Sequence, residues 1–215
     1  FKATHTTPNP VSLNHFLNEM VNEGCTHCFM EVSSHAIVQN RIHGIEFKGG
    51  VFTNISHDHL DYHKTFDEYI KAKKKFFDEL SPNAFALTNI DDKNGMVMLQ
   101  NTTAQKYNYA LKSPADFKAK IIENDISGLI LNLDGKEFYS RLIGQFNAYN
   151  LLAVFATATL LGEDKLKTLS SLSNLRSVDG RFQYVKGQNG PTAIVDYAHT
   201  PDALENVLST INSIK

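Results

Sequence analysis

The sequence has no stretch of about 18 uninterrupted apolar residues, so it predicts no membrane-spanning helix. It has no excess of charge either: 21 Lys and Arg stand against 23 Asp and Glu, a formal net charge of −2. The longest basic run is residues 73–75, which is too short to bind a nucleic-acid backbone. Internal repeats and low-complexity tracts are also absent. With 42% hydrophobic residues in a chain of 215, these features indicate a soluble globular protein of one domain or slightly more.

Cysteine is scarce, since Cys25 and Cys28 form a single C-x-x-C and there are no others. A redox pair of this spacing opens a helix after a strand, whereas an apolar run, residues 29–32, follows this one. A zinc site would need a second pair of ligands in addition to the two cysteines, and although His27 lies between them, no such pair is evident. We therefore expect two packed or half-exposed thiols in a reducing cytoplasm. The residues before them show no signal-peptide pattern, and because the chain begins at Phe1 and not at Met, a segment before Phe1 remains open.

Hydrophobic periodicity predicts an α/β fold. Short apolar strands that alternate with helices are typical of parallel βαβ units. We therefore expect a mostly parallel sheet flanked by helices. The predicted elements are a helix at 11–21 stopped by Gly24, a strand at 28–32, a strand at 51–53, a helix that begins at Thr65, and a strand at 84–88.

The pattern changes in the second half of the chain. Four short β-like runs between residues 106 and 142, with a hairpin signal at Asp134 and Gly135, predict a small antiparallel insert. Asn147 is expected to cap an apolar helix, and a weaker helix follows it. After Gly180, two strands and a helix that opens at Pro201 predict the start of a second, Rossmann-like domain. The expected domains are therefore 1–179 and a truncated 180–215.

Histidine is unevenly distributed, because eight of the nine lie at or before residue 63. The densest polar cluster, residues 57–63, follows the strand at 51–53, and open α/β sheets bind ligands at the carboxyl ends of their strands. The cluster approaches an H-x-H-x-D-H zinc motif, but Tyr62 occupies the place of a ligand. A zinc hydrolase using His57, His59 and His63 and a merely solvated loop both remain open.

Lys73 falls on the apolar stripe of the helix that begins at Thr65. In one interpretation its stem covers the core while its amine reaches water. In the other, desolvation favours a neutral amine that combines with CO2 to give a carbamate, an oxygen ligand for a hard cation. The amine lies two helical turns from the helix start, so it is expected to point back toward His59.

A second ionisable group, Glu31, ends the predicted strand at 28–32. A carboxylate there is costly unless it is paired or bound to a metal, so both a structural pair and a metal ligand are open. Gln39 and Arg41 follow within reach of a bound anion, and a surface turn explains them almost as well.

Several motifs, taken in order, resemble those of the Mur ligases, and within that family the enzymes that add the third amino acid to the peptidoglycan precursor. The motifs are MEVSSH at 30–35, VFTNIS at 51–56, DHLDYH at 58–63, AK at 72–73, NAYN at 147–150, GRF at 180–182 and DYAHTPDAL at 196–204.

The resemblance implies ATP-dependent amide formation on UDP-MurNAc-L-Ala-D-Glu, with meso-diaminopimelate or L-lysine as the incoming amino acid, by a cytoplasmic, monomeric enzyme that uses Mg2+. It implies a carbamate on Lys73 that holds Mg2+ with Glu31 and His59. The other implied roles are contacts with the UDP-sugar-peptide by Thr6, Thr7, Ser33, Gln39 and Arg41, and contacts with ATP by Asn147, Asn150, Arg181, Asp196 and Asn54.

The sequence departs from the family in what it lacks. The Gly-rich phosphate loop is absent and by analogy is expected to precede Phe1. The domains that hold uridine and select the third amino acid are absent or incomplete, so we expect this chain alone to be inactive. Another Mur ligase, a folylpolyglutamate synthase and a non-catalytic ligase-like binding module remain as alternatives.

Overall fold

The computed structural model describes residues 6–56, 60–186 and 192–214, and for residues 60, 61 and 186 it describes the backbone alone. The chain forms two compact units. The first unit contains Phe1–Gly50, His59–Ala86 and Val97–Lys106, and the second contains Val51–Asp58, Leu87–Met96 and Tyr107–Lys215. Within the described ranges, no helix is long and apolar enough to cross a membrane.

The described strands form two sheets. Six follow one another in chain order: β1 (Gly49–Phe52), β2 (Phe85–Asn89), β3 (Gln105–Ala110), β4 (Phe117–Asp125), β5 (Gly128–Leu133) and β6 (Lys136–Ser140). This sheet is mostly parallel and flanked by helices, which confirms the predicted fold class. β4, β5 and β6 pair antiparallel, which confirms the predicted antiparallel arrangement for three of the four runs. For β3 the prediction is wrong, because β3 pairs parallel with β4, and all four strands belong to the six-stranded sheet instead of forming a separate insert. β7 (Gln183–Lys186) and β8 (Thr192–Val195) form a separate antiparallel pair.

Eight helices occur in the described part of the chain. They are α1 (Pro10–Asn22), α2 (Ser34–Val38), α3 (Leu60–His63), α4 (Phe66–Asp78), α5 (Gly95–Met98), α6 (Gln145–Leu160), α7 (Lys165–Ser173) and α8 (Pro201–Ser213). The predicted helix at 11–21 and its end before Gly24 are confirmed, since α1 covers those residues and Gly24, with a φ of +79°, lies just beyond it. The Asn9 side chain caps the start of α1.

The local sequence also sets the start of α4. The Thr65 hydroxyl accepts a hydrogen bond from the Glu68 amide and caps the helix. The Glu68 carboxylate pairs with Lys71 at 2.8 Å, so the reciprocal half of a capping box is replaced by an exposed ion pair. Tyr69 and Phe77 are buried on the core face, and Lys73 is half-buried beside them.

In the second unit, the antiparallel strands and α6 share one core. Leu129, Leu131 and Leu133 alternate along β5 and are fully buried, and α6 packs against β4 and β5. The turn between β5 and β6 has left-handed φ values at Asp134 and Gly135, +53° and +78°, which confirms the predicted hairpin.

The strand predicted at residues 28–32 is wrong. That segment has no strand structure, and Phe29 is 74% exposed. A strand needs a backbone ladder, but here the Glu31 carbonyl accepts from the Thr7 hydroxyl, so a side chain supplies the partner. The two thiols are free and exposed, more so than expected, because the irregular segment leaves them uncovered.

The predicted cap of α6 is also wrong. The helix begins earlier, with Gly144 at the cap position, and Asn147 lies in the first turn, where its amide donates to the Ile143 carbonyl. The short helices α2, α3 and α5 were not predicted, because helices of four or five residues carry no measurable periodicity.

Candidate functional site

The first unit joins four of the predicted substrate-binding residues in one hydrogen-bond network. The Arg41 guanidinium donates through Nη1 to the Thr7 carbonyl and through Nε to Gln39 Oε1, both at 2.9 Å. The Thr7 hydroxyl accepts from the Ser33 amide at 3.1 Å and donates to the Glu31 carbonyl at 2.9 Å. Segments more than 20 residues apart in the chain therefore meet at Thr7.

Burial separates the roles within this network. Thr7 is fully buried, and its hydroxyl is used within the chain, so its side chain holds Ser33 in place while its backbone carbonyl holds Arg41. Thr6 beside it is exposed, and Gln39 is exposed at the end of α2. The Ser33 hydroxyl accepts from the Ala36 amide at 3.2 Å and caps α2. Contact of these residues with a substrate remains a prediction.

Two of the three predicted metal ligands can be placed. Glu31 is exposed, so the argument from a buried strand carboxylate does not hold, although its carboxylate is reachable. The Lys73 amine lies 5.2 Å from the centroid of the Tyr69 ring, a contact that attracts a cation. His59 lies outside the described residues. Carboxylate and carbamate oxygens are the donors that Mg2+ prefers, so these residues fit the ion by their chemistry.

His63 packs as a structural residue in the first unit. It is 7% exposed, and its Nε2 lies 2.8 Å from the Ser34 hydroxyl. Its ring stacks on Tyr69 with the centroids 5.2 Å apart. This agrees with leaving His63 out of the predicted magnesium site. The zinc hypothesis stays a prediction, because His57 and His59 lie outside the described residues.

In the second unit, Asn147 and Asn150 lie on one face of α6, since residues three apart in a helix are neighbours. The Asn150 amide donates to the Asn147 side-chain oxygen at 3.3 Å. Asn147 is half-buried and Asn150 is exposed. The two amides therefore form an accessible pair near the helix start, although their contact with adenine remains a prediction.

Arg181 and Asp196, also predicted to contact ATP, organise the segment around β7 and β8. The Arg181 guanidinium lies 5.0 Å from the centroid of the Tyr197 ring. The two oxygens of the Asp196 carboxylate accept from the amides of Phe182 and Ala198, each at 2.7 Å. Asp196 thus ties the start of β7 to the end of β8, while Arg181 stays exposed.

Asn54, the remaining predicted residue, is exposed after β1. Its neighbours in the chain are held by the turn after β2. The Asn89 side-chain amide donates to the Thr53 carbonyl at 2.9 Å, and Asp92 accepts from the Ile55 amide at 3.0 Å. The backbone on both sides of Asn54 is therefore fixed.

The sequence reasoning missed Asp91, in the same turn. Its carboxylate accepts five hydrogen bonds of 2.8 to 3.0 Å: from the amides of Leu111, Lys112 and Ser113, from the Ser113 hydroxyl and from the Tyr149 hydroxyl. Burial by itself raises the pKa of Asp91, but these hydrogen bonds outweigh it and hold the pKa well below its ordinary value. Asp91 is therefore a fixed negative charge that joins three segments.

A signal for this turn was present in the sequence. Asp91 and Asp92 follow the strand predicted at 84–88, at the edge where parallel sheets gather polar groups.

A cleft of about 510 Å3 in the first unit is a separate feature. Its described lining includes Phe47, Phe76 and Leu80 and the exposed carboxylates of Glu46 and Glu79, and none of the predicted site residues. Glu79 pairs with Lys75 at 3.6 Å, but the described lining itself includes no Lys or Arg to attract an anionic nucleotide. The Arg41 network is therefore the better candidate for the predicted substrate.

Comparison with known proteins gives two family matches. The Mur ligase middle domain matches residues 1–158, and the Mur ligase glutamate ligase domain matches residues 180–215. A UDP-N-acetylmuramoyl-L-alanyl-D-glutamate–2,6-diaminopimelate ligase from Cytophaga hutchinsonii is 61% identical over 214 residues, which cover 100% of this chain and 44% of the relative. A ligase of the same name from Bacteroides thetaiotaomicron is 55% identical over 98% of this chain and 44% of its own length.

Comparison with solved structures gives relatives of the same family. A ligase of that name is 31% identical with a TM-score of 0.82, over 100% of this chain and 45% of the other. The UDP-N-acetylmuramate-alanine ligase of Thermotoga maritima, at 24% identity and a TM-score of 0.63 over 78% of this chain and 38% of its own, shares the fold. The middle-domain match covers more than half of the sequence, and the chain therefore belongs to the Mur ligase family.

Proposed function

We propose that the protein containing this chain is an ATP-dependent ligase that joins the D-glutamate of UDP-MurNAc-L-Ala-D-Glu to 2,6-diaminopimelate. The observation that carries the proposal is the 61% identity, across the whole chain, to a relative named for that reaction. The chain spans 44% of that relative, so the activity is proposed for the complete gene product.

The proposed chemistry has two steps. The terminal D-glutamate carboxylate attacks the γ-phosphorus of ATP, which forms an acyl phosphate and releases ADP. The amine of the incoming amino acid then attacks the acyl carbon, which forms the amide and releases phosphate. Positioning and neutralisation of charge dominate phosphoryl transfer, so the contribution of the protein is mainly geometric and electrostatic.

The Arg41 network supports the substrate side of this proposal. A guanidinium suits carboxylates and phosphates because it presents donors in a planar fork. Arg41 is pinned through Nη1 and Nε, so its position is fixed before a substrate arrives. Ser33 and Gln39 add polar groups at the two ends of α2, and Thr6 adds an exposed hydroxyl beside Thr7.

Glu31, His59 and a carbamate on Lys73 would hold Mg2+. When bound, the ion neutralises negative charge that develops on the transferred phosphoryl group. Lys73 is half-buried on α4, and a carbamate there would supply an oxygen ligand to the ion.

Residues of the second unit would bind the nucleotide. Asn147 and Asn150 offer amide donors and acceptors suited to the edge of adenine. Arg181 adds an exposed cation, Asp196 holds the backbone beside it, and Asn54 supports the phosphate and metal region. We place the domain boundary at residues 179 and 180, so that Arg181 and Asp196 belong to the second domain.

The test is a ligation assay on the complete gene product with UDP-MurNAc-L-Ala-D-Glu, ATP and either meso-diaminopimelate or L-lysine. We expect tripeptide product, ADP and phosphate in equal amounts with meso-diaminopimelate, and little with L-lysine. The acceptors of the other Mur ligases and of folylpolyglutamate synthase serve as controls. Turnover with one of those acceptors alone, or with L-lysine alone, would contradict the proposal.

A further inference from the structure

Asp91 connects the turn after β2 to α6 through a single side chain. Its Oδ2 accepts from the Tyr149 hydroxyl at 2.8 Å, and its other partners all lie at residues 111–113, after β3. Burial, together with the hydrogen bond to Asp91 and the charge of Asp91, raises the pKa of Tyr149 above its ordinary value, so the phenol is a stable donor. The contact is a charge-assisted hydrogen bond, which is stronger than a neutral one.

Other side chains near the start of α6 also hold the helix: the Phe146 ring lies 5.6 Å from the Phe182 ring, and Ala148, Leu151 and Leu152 are buried. Gly144 occupies the cap position with a φ of +94° and provides no side-chain cap. Asn147 uses its amide on the Ile143 carbonyl within the same turn. Tyr149 adds a side-chain hydrogen bond from the first turns of the helix to the turn after β2.

Helix geometry relates the Tyr149 contact to Asn147 and Asn150, the residues predicted to contact adenine. Successive residues of an α-helix are about 100° apart around the axis. Asn147 and Asn150 share one face, whereas Tyr149 projects about 200° away from Asn147. Tyr149 is only about 100° from Asn150, so its bond lies on a different face of the helix, where it constrains the rotation and leaves the amide pair accessible.

We propose that Asp91 and Tyr149 are positioning residues for nucleotide binding, and that their hydrogen bond fixes the rotation of the α6 turn that presents Asn147 and Asn150. This inference rests on the proposed function, since it concerns the same nucleotide site. Neither residue needs to touch the nucleotide. The bond acts by holding the helix in the orientation that binds.

The test compares two variants of the complete gene product that each remove one hydroxyl donor from the same carboxylate. Tyr149→Phe removes the donor on α6, and Ser113→Ala removes the donor on the loop after β3. We measure the Kd for ADP by calorimetry, the KM for ATP and for the UDP-sugar-peptide, and the Tm. Tyr149→Phe is expected to raise the ADP Kd and the ATP KM about fivefold to tenfold, with kcat and the other KM within about twofold, as for loss of one charge-assisted bond.

Ser113→Ala is expected to lower the Tm about as much as Tyr149→Phe does, because each variant removes one hydrogen bond to Asp91, while the ADP Kd of Ser113→Ala stays within about twofold of the unaltered protein. Equal weakening of ADP binding by both variants would show that the carboxylate stabilises the fold generally, and would overturn the inference. Unchanged binding in Tyr149→Phe would overturn it as well. If the unaltered protein ligates but Tyr149→Phe binds ADP normally, only the inference fails, whereas absence of nucleotide binding in the unaltered protein overturns the proposed function too.

Discussion

At the residue scale, Lys73 and Glu31, both predicted to be metal ligands, differ in how the structure surrounds them. Lys73 was singled out because it falls on an apolar stripe, and it is half-buried above Tyr69. Glu31 was singled out because it ended a predicted strand, and it is exposed on an irregular segment. Periodicity locates a residue on a helix face well, since the helix supplies its own hydrogen bonds. It locates a residue on a strand poorly, since a strand depends on distant partners.

Lys73 gives the prediction that belongs to this scale. In the complete gene product, Lys73→Ala is expected to reduce ligation at least about a hundredfold, because a carbamate ligand cannot form. Short-chain carboxylates should restore part of the activity by supplying the missing oxygen ligand. Intact-protein mass spectrometry of the unaltered protein under bicarbonate should show the added carboxyl group.

Lys71→Ala is the matched control on the same helix, since Lys71 is exposed and pairs with Glu68. It should keep full activity, because exposed pairs contribute little. Full activity in Lys73→Ala, or a loss that carboxylates do not restore together with no carbamate mass, would refute the role of Lys73.

At the element scale, the sequence predicts what local chemistry determines. The helix that begins at Thr65, the Asp134 and Gly135 turn and the helix that opens at Pro201 were all predicted from residues near one another in the chain. The Asp91 turn was missed because its meaning depends on residues 111–113 and Tyr149, which are 20 to 58 positions away. No local pattern encodes such a contact.

The two glycine turns of the antiparallel strands give the element-scale prediction. Gly135→Ala should lower the free energy of unfolding by about 1 to 2 kcal/mol, because φ is +78°, a left-handed conformation that is unfavourable for Ala. The added Cβ would meet nothing within 4 Å, so this backbone strain is the whole expected cost. Gly128→Ala should lower it by about 1 to 3 kcal/mol more, because its Cβ would lie 2.1 Å from the Ser140 carbonyl oxygen as well as at a φ of +147°.

Urea denaturation of this chain, followed by circular dichroism, measures both variants. Equal losses would mean that backbone conformation alone sets the cost and that the close approach of Gly128 to Ser140 is relieved without penalty. The order predicted here requires Gly128→Ala to be the less stable of the two.

At the scale of the whole molecule, the fold class followed from the alternation of strands and helices, and the structure confirms it. The substrate-binding set and the nucleotide-binding set were predicted from motifs, and each lies within one unit: the Arg41 network in the first and the α6 and β7–β8 residues in the second. The roles of these residues could not follow from composition or periodicity, because those do not encode what a network binds. The chain spans 44% of its relative, and its inactivity in isolation stays a prediction.

The central claim is that the complete protein forms its amide through an acyl phosphate on the substrate carboxylate. The most direct measurement uses UDP-MurNAc-L-Ala-D-Glu labelled with oxygen-18 in the terminal D-glutamate carboxylate, with ATP and meso-diaminopimelate, and analyses the released phosphate by mass spectrometry. The account predicts one labelled oxygen in each phosphate for every tripeptide formed, because the bridging oxygen leaves with the phosphoryl group. Tripeptide formed together with unlabelled phosphate, or with AMP and pyrophosphate, would contradict it.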